Sequence, residues 1–438
     1  PGVSPARACA FAVLRRVFEH GAYADRAFTA EAAALEPRER AFAMQLAYGT
    51  VQRRATLDYV AGQLTRRPIS DLEAPVLAAL RLGIFQLLLL DGVADHAAVN
   101  ESVELVKRIS PGGASLVNAV LRRAAQRGDG MLERLSDELP TGAATLHSVP
   151  EWLAQRWFEE LGAEMARALL RRINAPAESA VRANPLVAST EEARARLPVP
   201  SSVANGLAEG IILQAPFDAH SSSLWRDGAI MPQSRGSMLV ARVLAPAAGH
   251  RVLDLCAAPG GKTTHLAALM ADQGEIVAVE RHPGRARALA RTCARMHADC
   301  VRIEVRDAAE MSVPGRFDRV LVDPPCSGLG TLQSRPDVRW RATPEGIDRL
   351  AALQQRILAA GAAATASGGV LGYSVCTISR TEGQDVIERF LERSRDFEAE
   401  DLGLAFPDWS HSDREPYLQL LPHLDQTDGF FVARLRRR

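Results

Sequence analysis

The fold is decided by the stretch Arg251-Val-Leu-Asp-Leu-Cys-Ala-Ala-Pro-Gly-Gly-Lys262. Its first five residues, RVLDL, have the composition of a buried strand, and the glycine-rich turn after them leads into a helical pattern over 262–270. Gly260 and Gly261 allow the backbone to approach a ligand closely, and the start of a helix offers free N–H groups to a polar group. The stretch therefore predicts a strand–turn–helix unit with a binding site at the turn.

Strands and helices alternate in the sequence that follows this turn. Strand patterns occupy 275–280, 300–305, 317–323 and 369–374, and helical patterns occupy 283–297 and 344–366. Such alternation predicts a doubly wound, mostly parallel α/β sheet of the Rossmann-like type. Ligands of these sheets bind beyond the carboxyl ends of the strands, so we expect the functional residues there.

The sequence before this sheet divides into an all-helical region and a region of mixed helix and strand patterns. Apolar residues recur at helical spacing within 8–18, 41–60, 75–90, 99–109 and 115–125, with turn signals between them. Residues 1–140 therefore predict an all-helical bundle of five or more helices. Residues 146–232 combine short helical patterns (151–161 and 164–173) with strand-like pieces (180–183 and 210–213), which is typical of a small mixed α/β connecting subdomain.

Charge and cysteine content exclude several classes of protein. The 438 residues carry 52 basic and 52 acidic side chains, so nucleic acid can be held only by a local cluster of arginines. The six cysteines show neither a C-x-x-C pair nor zinc spacing, so we expect reduced thiols, a cytoplasmic location and no metal. The most apolar run, 80–90, is too short to cross a bilayer, so we expect no membrane partner. A monomer is the default expectation.

The turn at 256–262 is open to two interpretations. A dinucleotide fingerprint G-x-G-x-x-G is absent, and Gly-Lys-Thr at 261–263 ends like a phosphate loop but has Cys256 where that loop needs its first glycine. A nucleoside triphosphate site is therefore the weaker interpretation. Glu280, at the end of the next strand, is placed to bond ribose hydroxyls, and Asp307, after the third strand, to hold an adenine amino group. Alternatively, each carboxylate is a helix cap or a solvated loop residue.

Two cysteines end neighbouring strands of the predicted sheet. Asp323-Pro-Pro-Cys-Ser-Gly-Leu-Gly330 follows the fourth strand, and Tyr373-Ser-Val-Cys-Thr377 ends the fifth. Amino-group methyltransferases often carry an aromatic residue after Asp-Pro-Pro, where this chain has Cys326. We expect Cys326 and Cys376 to be the functional thiols. The other four thiols are interpreted as small buried hydrophobes: Cys9, Cys256, Cys293 and Cys300.

Three of these stretches resemble motifs of a known family. DLCAAPGGKT, VDPPCSGLGTLQSRPDVRW and YSVCT are similar to the cofactor, fourth and sixth motifs of the RNA 5-methylcytosine methyltransferases. LAYGTVQRRATLDYV, HAAVNESVELVKR, LVNAVLRR, VPEWLAQRWFEELG and DGFFVARLRR resemble its RsmB (Sun/Fmu) branch, whose N-terminal domain is similar to the antitermination factor NusB. The resemblance spans nearly the whole chain.

The resemblance implies three regions and their partners. Residues 1–140 would form a NusB-like helical RNA-binding domain, 146–232 the connecting subdomain and 233–438 a methyltransferase domain. The implied cofactor is S-adenosyl-L-methionine. The implied substrate is RNA, in this branch the 16S (small-subunit) ribosomal RNA, in which carbon 5 of a cytosine is methylated.

The resemblance also implies the roles of individual residues. Cys376 would be the nucleophile that attacks carbon 6 of cytosine, which makes carbon 5 enamine-like and able to accept a methyl group. Cys326 would act in product release, and Asp323 would bond the base edge. Lys262, one of only two lysines, would favour the thiolate of Cys376 unless it merely faces solvent at the helix start. The predicted cofactor-binding residues are Cys256, Ala257, Ala258, Pro259, Gly260, Gly261, Lys262, Glu280, Arg285, Asp307 and Asp323.

Two other functions remain open at this point. A DNA cytosine-5 methyltransferase would use Cys326 as its nucleophile, and a second, sixth-motif cysteine is not expected in that class. A non-catalytic RNA-binding or antitermination-like factor would need only the helical region, and the intact cofactor and cysteine motifs argue against it. The chain also departs from the family pattern Gln-Asp-x-x-Ser: it reads Gln233-Ser-Arg-Gly-Ser237, with Ser234 in place of the acid. This departure bears on an RNA or linker contact of the family, not on the chemistry.

Overall fold

The computed structural model describes residues 2–313, 315–410 and 416–438. The chain forms two compact units: the helical unit (Pro1–Ala175 and Leu332–Arg341) and the sheet unit (Pro176–Thr331 and Ala342–Arg438). The division into 1–140, 146–232 and 233–438 rests on sequence pattern and stays a prediction. Among the described residues, no helix is both long enough and apolar enough to span a bilayer.

The helical unit begins with ten α-helices. They are α1 (Pro5–His20), α2 (Ala24–Glu31), α3 (Pro37–Gln52), α4 (Arg54–Leu64), α5 (Ala74–Leu88), α6 (Asp95–Lys107), α7 (Pro111–Leu132), α8 (Pro140–His147), α9 (Glu151–Leu161) and α10 (Ala163–Arg172). Proline stands in the first two positions of α1, α3, α5, α7 and α8. Its fixed φ suits a helix start, and its missing N–H has no partner there in any case.

Helix α5 is the centre of this unit. All side chains from Ala78 to Gln86 are buried, which explains the long apolar run as a core helix. Arg81 within it pairs with Asp58, at 2.6 Å. The pattern at 41–60, which predicted one helix, belongs to α3 and α4, because Arg53 leaves the helical conformation (φ −95°, ψ 13°) and separates them. The apolar spacing continues through the break, so the sequence pattern does not show it.

The sheet unit contains two sheets. The helices and strands after α10, in chain order, are β1 (Ala180–Ala183), α11 (Thr190–Ala195), β2 (Ser201–Ala204), β3 (Leu207–Leu213), α12 (Ser223–Arg226), β4 (Ile230–Pro232), α13 (Arg235–Leu244), β5 (Arg251–Leu255), α14 (Gly261–Leu269), β6 (Glu275–Glu280), α15 (Pro283–Arg295), β7 (Val301–Val305), β8 (Phe317–Val322), α16 (Val338–Arg341), α17 (Pro344–Ala364), β9 (Thr365–Val375), α18 (Gln384–Arg393), β10 (Phe397–Ala399), α19 (Leu402–Ala405), β11 (Leu418–Leu420), α20 (Pro422–Asp425) and β12 (Phe430–Arg437). Only α16 belongs to the helical unit.

The large sheet has the strand order β10-β12-β9-β8-β5-β6-β7, with β11 paired to β12. Strands β7, β6, β5, β8 and β9 are parallel, whereas β12 is antiparallel to β9. The predicted mostly parallel Rossmann-like sheet is thus confirmed. Because β5 pairs with β6 on one side and with β8 on the other, the carboxyl end of β5 lies where the strand order reverses, the usual place for a ligand.

The small sheet precedes it in the chain, with four antiparallel strands in the order β2-β3-β1-β4. This mixed α/β part of the unit agrees with the predicted connecting subdomain in type. One boundary in the large sheet differs from the prediction. The helical pattern at 344–366 ends at Ala364, because the β-branched Thr365 already pairs with Phe317 as the first residue of β9.

The segment Leu332–Arg341 interrupts the sheet unit along the chain and belongs to the helical unit. Trp340 Nε1 donates to the carbonyl of Val51 at 2.7 Å, and Arg341 Nη1 donates to the carbonyl of Gly21 at 2.6 Å. Arg339 is completely buried in the same unit. The helical unit is therefore built from two separate parts of the chain.

Candidate active site

The turn after β5 is shaped by two residues with positive φ. Cys256 has φ 68°, a conformation that residues other than glycine rarely adopt. Gly260 has φ 106°, and a Cβ there would lie 2.9 Å from Leu289. Within β5, burial raises the pKa of Asp254 to about 7, and Thr263 donates a hydrogen bond of 2.7 Å to its carboxyl group. The strand, turn and helix predicted from the sequence are therefore tied together at this point.

A cleft with about 490 Å³ of empty space lies at the carboxyl ends of β5, β6 and β7. Glu280 is buried beside it and accepts a hydrogen bond of 2.8 Å from the N–H of His282. Arg285 Nη2 donates to the carbonyl of Ala258 at 2.8 Å, and its Nε lies 3.6 Å from Glu280. The lining residues are Cys256, Val279, Glu280, Arg281, His282, Arg285, Arg306, Asp307, Ala308, Pro325, Leu353 and Ile357.

The two predicted carboxylates of the cleft differ in what they already bind. Asp307 lines the cleft and also accepts the N–H of Ala309 at 2.9 Å, so that it caps a short 3-10 helix. The helix-cap interpretation of Asp307 is thus correct, without excluding a ligand role. Carboxylates beside apolar Val279, Leu353 and Ile357 suit a nucleoside, whose hydroxyl and amino groups donate hydrogen bonds while its base is flat and apolar.

Cys326 and Cys376 meet where β8 and β9 end side by side. Their sulfur atoms are 3.3 Å apart, and both side chains are half-buried. The hydrogen bond to Cys376 and burial raise the pKa of Cys326 well above its ordinary value. Two thiols this close do not ionise together easily, so a thiolate on Cys376 favours the protonated form of Cys326.

Lys262 is held at this pair by Asp323. The distance from Lys262 Nζ to Asp323 Oδ2 is 2.8 Å, and Ser374 donates to the other carboxylate oxygen, also at 2.8 Å. The lysine side chain is only 15% exposed and its ammonium group lies over the ring of Phe430. Burial acts to lower the pKa of Lys262, but the charge of Asp323 outweighs it and the pKa is raised. The interpretation that Lys262 faces solvent is therefore wrong.

Two glycines allow the loops that carry the cysteines to approach each other. The N–H of Gly330 donates to the carbonyl of Cys376 at 3.0 Å, and its own carbonyl accepts the N–H of Gly429 at 2.8 Å. A Cβ on Gly330 would lie 1.9 Å from the carbonyl oxygen of Gly429. Any side chain at this position would force the Cys326 loop away from Gly429, which precedes β12.

Several residues of the site were not predicted from the sequence. Ser374, Ser327 and Thr377 lie within the quoted motifs and bond to one another or to Asp323, but a hydroxyl in a motif does not reveal its partner. Glu382 and Gln354 are completely buried next to them. No sequence pattern singles these two out, because their burial results from the packing of α17 and of the loop after β9.

The remaining predicted positions have plain structural roles. Cys9 and Cys293 are buried, as expected, whereas Cys256 and Cys300 are half-buried. Ser234, the departure from the family pattern, is the N-cap of α13 and accepts the N–H of Ser237. Serine and aspartate cap helices about equally well, which explains why serine is accommodated here.

Comparisons with known proteins identify the families to which the chain is similar. The model of the 16S rRNA methyltransferase RsmB/F family matches residues 241–436, and that of the NusB family matches residues 4–126. The chain is 36% identical over 443 residues to a probable ribosomal RNA small subunit methyltransferase B of Synechocystis sp., covering 99% of each chain. It is 37% identical over 405 residues to the ribosomal RNA small subunit methyltransferase B of Thermus thermophilus, covering 91% of this chain and 89% of the relative.

A solved structure shares the fold of about two thirds of this chain. NSun6 from Pyrococcus horikoshii, solved with SFG, is 21% identical to this chain, with a TM-score of 0.61 over 67% of this chain and 99% of that one. Together with the two relatives, whose similarity extends over nearly the full length, these comparisons confirm the resemblance drawn from the sequence motifs. The chain belongs to the family of the ribosomal RNA small subunit methyltransferases B.

Proposed function

We propose that this protein transfers a methyl group from S-adenosylmethionine to carbon 5 of a cytosine in 16S ribosomal RNA, through a covalent bond between Cys376 and carbon 6. The observation that carries the proposal is the contact between Cys326 and Cys376, 3.3 Å apart beside the Lys262–Asp323 pair. A single nucleophilic step needs one thiol. Two thiols in contact suit a reaction in which a covalent bond is made and then broken.

The cleft provides the groups that would hold the cofactor. Glu280 and Asp307 offer acceptors to ribose hydroxyls and to the adenine amino group, and Arg285 holds the turn at Ala258. The remaining residues of the turn, from Cys256 to Lys262, approach with their backbone. When bound, S-adenosylmethionine supplies an electrophilic methyl group. The family to which the chain belongs supports this choice of cofactor.

The protein's own side chains would prepare the base for methylation. The ammonium group of Lys262 favours the thiolate of Cys376, which attacks carbon 6 of cytosine and gives carbon 5 enamine character. Asp323 has free lone pairs on both oxygens and would accept a hydrogen bond from the cytosine amino group. After methylation, a water molecule takes the proton of carbon 5, the electron pair of that C–H bond forms the carbon 5–carbon 6 double bond, and the bond between carbon 6 and Cys376 breaks with its electron pair going to the sulfur. Cys326 is the group placed to assist this release.

We also propose a division of labour along the chain. Residues 1–140, which include the NusB-family match, would bind RNA, 146–232 would connect, and 233–438 would catalyse. The protein would act in the cytoplasm as a monomer without a metal, its six cysteines being free thiols. A DNA methyltransferase with Cys326 as nucleophile and a non-catalytic RNA-binding factor are not retained, because the relatives named above are RNA methyltransferases by their own descriptions.

The two cysteines can be tested separately by substitution. Cys376→Ala should lower methyl incorporation into 16S ribosomal RNA by more than about a thousandfold while cofactor binding is kept, because the covalent step is lost. Cys326→Ala should slow turnover and accumulate a protein–RNA adduct, visible as a retarded band on a denaturing gel. Cys300→Ala, a half-buried thiol elsewhere, is the matched control and should be active. Full activity of Cys376→Ala would refute the proposal.

A further inference from the structure

The side chain of Glu382 lies directly behind the two loops that carry the cysteines. It is completely buried, between the end of β9 and the start of α18. One carboxylate oxygen accepts the N–H of Ser327 at 2.8 Å and the amide N–H of Gln354 at 3.1 Å. The other accepts the hydroxyl of Ser327 at 2.5 Å. Glu382 therefore holds the residue that follows Cys326 by both its main chain and its side chain.

A chain of hydroxyl groups extends this contact to the other cysteine. The N–H of Ser379 donates to Thr377 Oγ1 at 3.2 Å, and the hydroxyls of Thr377 and Ser327 are 2.9 Å apart. The Ser327 hydroxyl donates to Glu382, and the Thr377 hydroxyl lies 3.5 Å from the same carboxylate oxygen. The hydrogen bonds thus run from the residue after Cys376 to the residue after Cys326 and end on the carboxylate.

Both carboxylate oxygens of Glu382 act as acceptors for the groups that face them. The backbone N–H of Ser327 and the amide N–H of Gln354 both donate to the same carboxylate oxygen, and the other oxygen faces the Ser327 hydroxyl. Burial raises the pKa of Glu382, while the hydrogen bonds from Ser327, Gln354 and Thr377 oppose that rise. Its negative charge also acts on Cys326, in the direction that keeps the thiol protonated.

We propose, on the basis of the function proposed above, that Glu382 is a positioning residue that joins the two cysteine loops and holds Cys326 in its protonated form. The nucleophile Cys376 must carry the negative charge, whereas the thiol that assists release must keep its proton until the covalent bond has formed. The buried carboxylate of Glu382 faces the Cys326 loop, whereas the cation Lys262 is held near the thiols by Asp323. These opposite charges give the two thiols their different tasks.

The charge of Glu382 can be measured through Cys326 without RNA or cofactor. In a Cys376→Ala background, alkylation of Cys326 by iodoacetamide is followed against pH by mass spectrometry of its peptide. We expect Glu382→Gln to lower the midpoint of alkylation by about one pH unit or more, because a nearby negative charge is removed. Glu388→Gln, the same change at an exposed position of α18, is the matched control and should leave the midpoint unchanged.

Turnover provides the second measurement, in protein with both cysteines. Glu382→Gln should lower kcat for methyl transfer by at least about tenfold with little change in KM for RNA, because binding residues are untouched. An unchanged alkylation midpoint overturns the proposal, whatever happens to turnover. A lowered midpoint supports it even if methyl transfer to ribosomal RNA fails in the unsubstituted protein, so the two proposals can fail separately.

A second variant keeps the test decisive if Glu382→Gln does not fold. Ser327→Ala removes the hydroxyl bridge but keeps the backbone bond to Glu382 and its charge. We expect kcat to fall at least about fivefold while the alkylation midpoint of Cys326 stays within about 0.3 pH units of the parent. Unchanged turnover in Ser327→Ala shows that the hydroxyl chain does not position the loops, and overturns that part of the proposal.

Discussion

Lys262 in the sheet unit and Arg339 in the helical unit are both buried cations, but they are held in different ways. Lys262 is paired with a carboxylate, Asp323, and keeps 15% of its side chain exposed. Arg339 is completely buried, and its partners are neutral. It donates to the carbonyls of Ser148 and Leu332 at 3.0 and 3.2 Å and to the amide oxygen of Asn174 at 3.0 Å.

The difference between the partners of Arg339 and Lys262 indicates the role of each side chain. Carbonyl groups do not titrate, so Arg339 is a fixed cross-link between parts of the backbone, and burial lowers its pKa only to about 9. Asp323, by contrast, is a charged partner that keeps 25% of its side chain exposed, so the field of Lys262 at the nearby thiols depends on what occupies the site. Arg339, which is bound by carbonyl groups, has a structural role. Lys262, which is bound by a partly exposed carboxylate beside two thiols, is placed to act in catalysis.

The largest effect is expected at Lys262. Lys262→Met should lower kcat by about a hundredfold or more at pH 7, because the thiolate of Cys376 loses its nearby cation. Without that cation the pKa of the thiol rises, so the acid limb of the pH–rate profile should move to higher pH by about one unit and raised pH should restore part of the rate. The free energy of unfolding should fall by about 1–2 kcal/mol, because Asp323 keeps a quarter of its side chain exposed and its hydrogen bond from Ser374.

The next effect is a loss of stability at Arg339. Arg339→Ala should lower the free energy of unfolding by about 3–4 kcal/mol, because it leaves several buried carbonyls without a donor and opens a cavity. Urea unfolding followed by circular dichroism measures this. Arg341→Ala, which removes an exposed neighbour in the same segment, is the control and should lose less than about 1 kcal/mol. If Lys262→Met proved as destabilising as Arg339→Ala, the distinction between the two cations would fail.

The smallest effect is expected at Ser234, an uncharged polar residue that can be compared with the two buried cations. Ser234 caps α13 with its hydroxyl, so Ser234→Asp, which restores the family pattern, should change stability by less than about 0.5 kcal/mol. Ser234→Ala should lose about 1 kcal/mol in thermal unfolding. Tighter RNA binding by Ser234→Asp, measured by filter retention, would instead show that the acid of the family contacts RNA.

The sequence was most informative where one motif carries both a strand end and a functional side chain. Glu280 and Cys376 were placed correctly at strand ends, because hydrophobic runs mark the strands and parallel strands end at one edge. Glu382 could not be found, because nothing in its neighbours shows that it will be buried. The role of Arg339 was hidden for a related reason, since it lies within the stretch quoted as the fourth motif but packs against helices formed by a distant part of the chain.

The break between α3 and α4 and the antiparallel strand β12 show the same limit. Apolar spacing reports which residues face a core, not where the backbone bends, so Arg53 does not interrupt the pattern. The run in β12 was recognised only as a stretch shared with a family. Its pairing with β9 is a contact between residues far apart in sequence, which local periodicity does not encode.

The return of Leu332–Arg341 into the helical unit has a consequence for how the protein is made. The helices up to Ala175 leave the ribosome first, but the arginine that ties their carbonyls together follows only after Pro176–Thr331 has been synthesised. At ordinary rates of translation this takes roughly 10–30 seconds. During that time the first-made unit is incomplete, and a gene cut after residue 175 would yield a bundle that lacks part of its own interior.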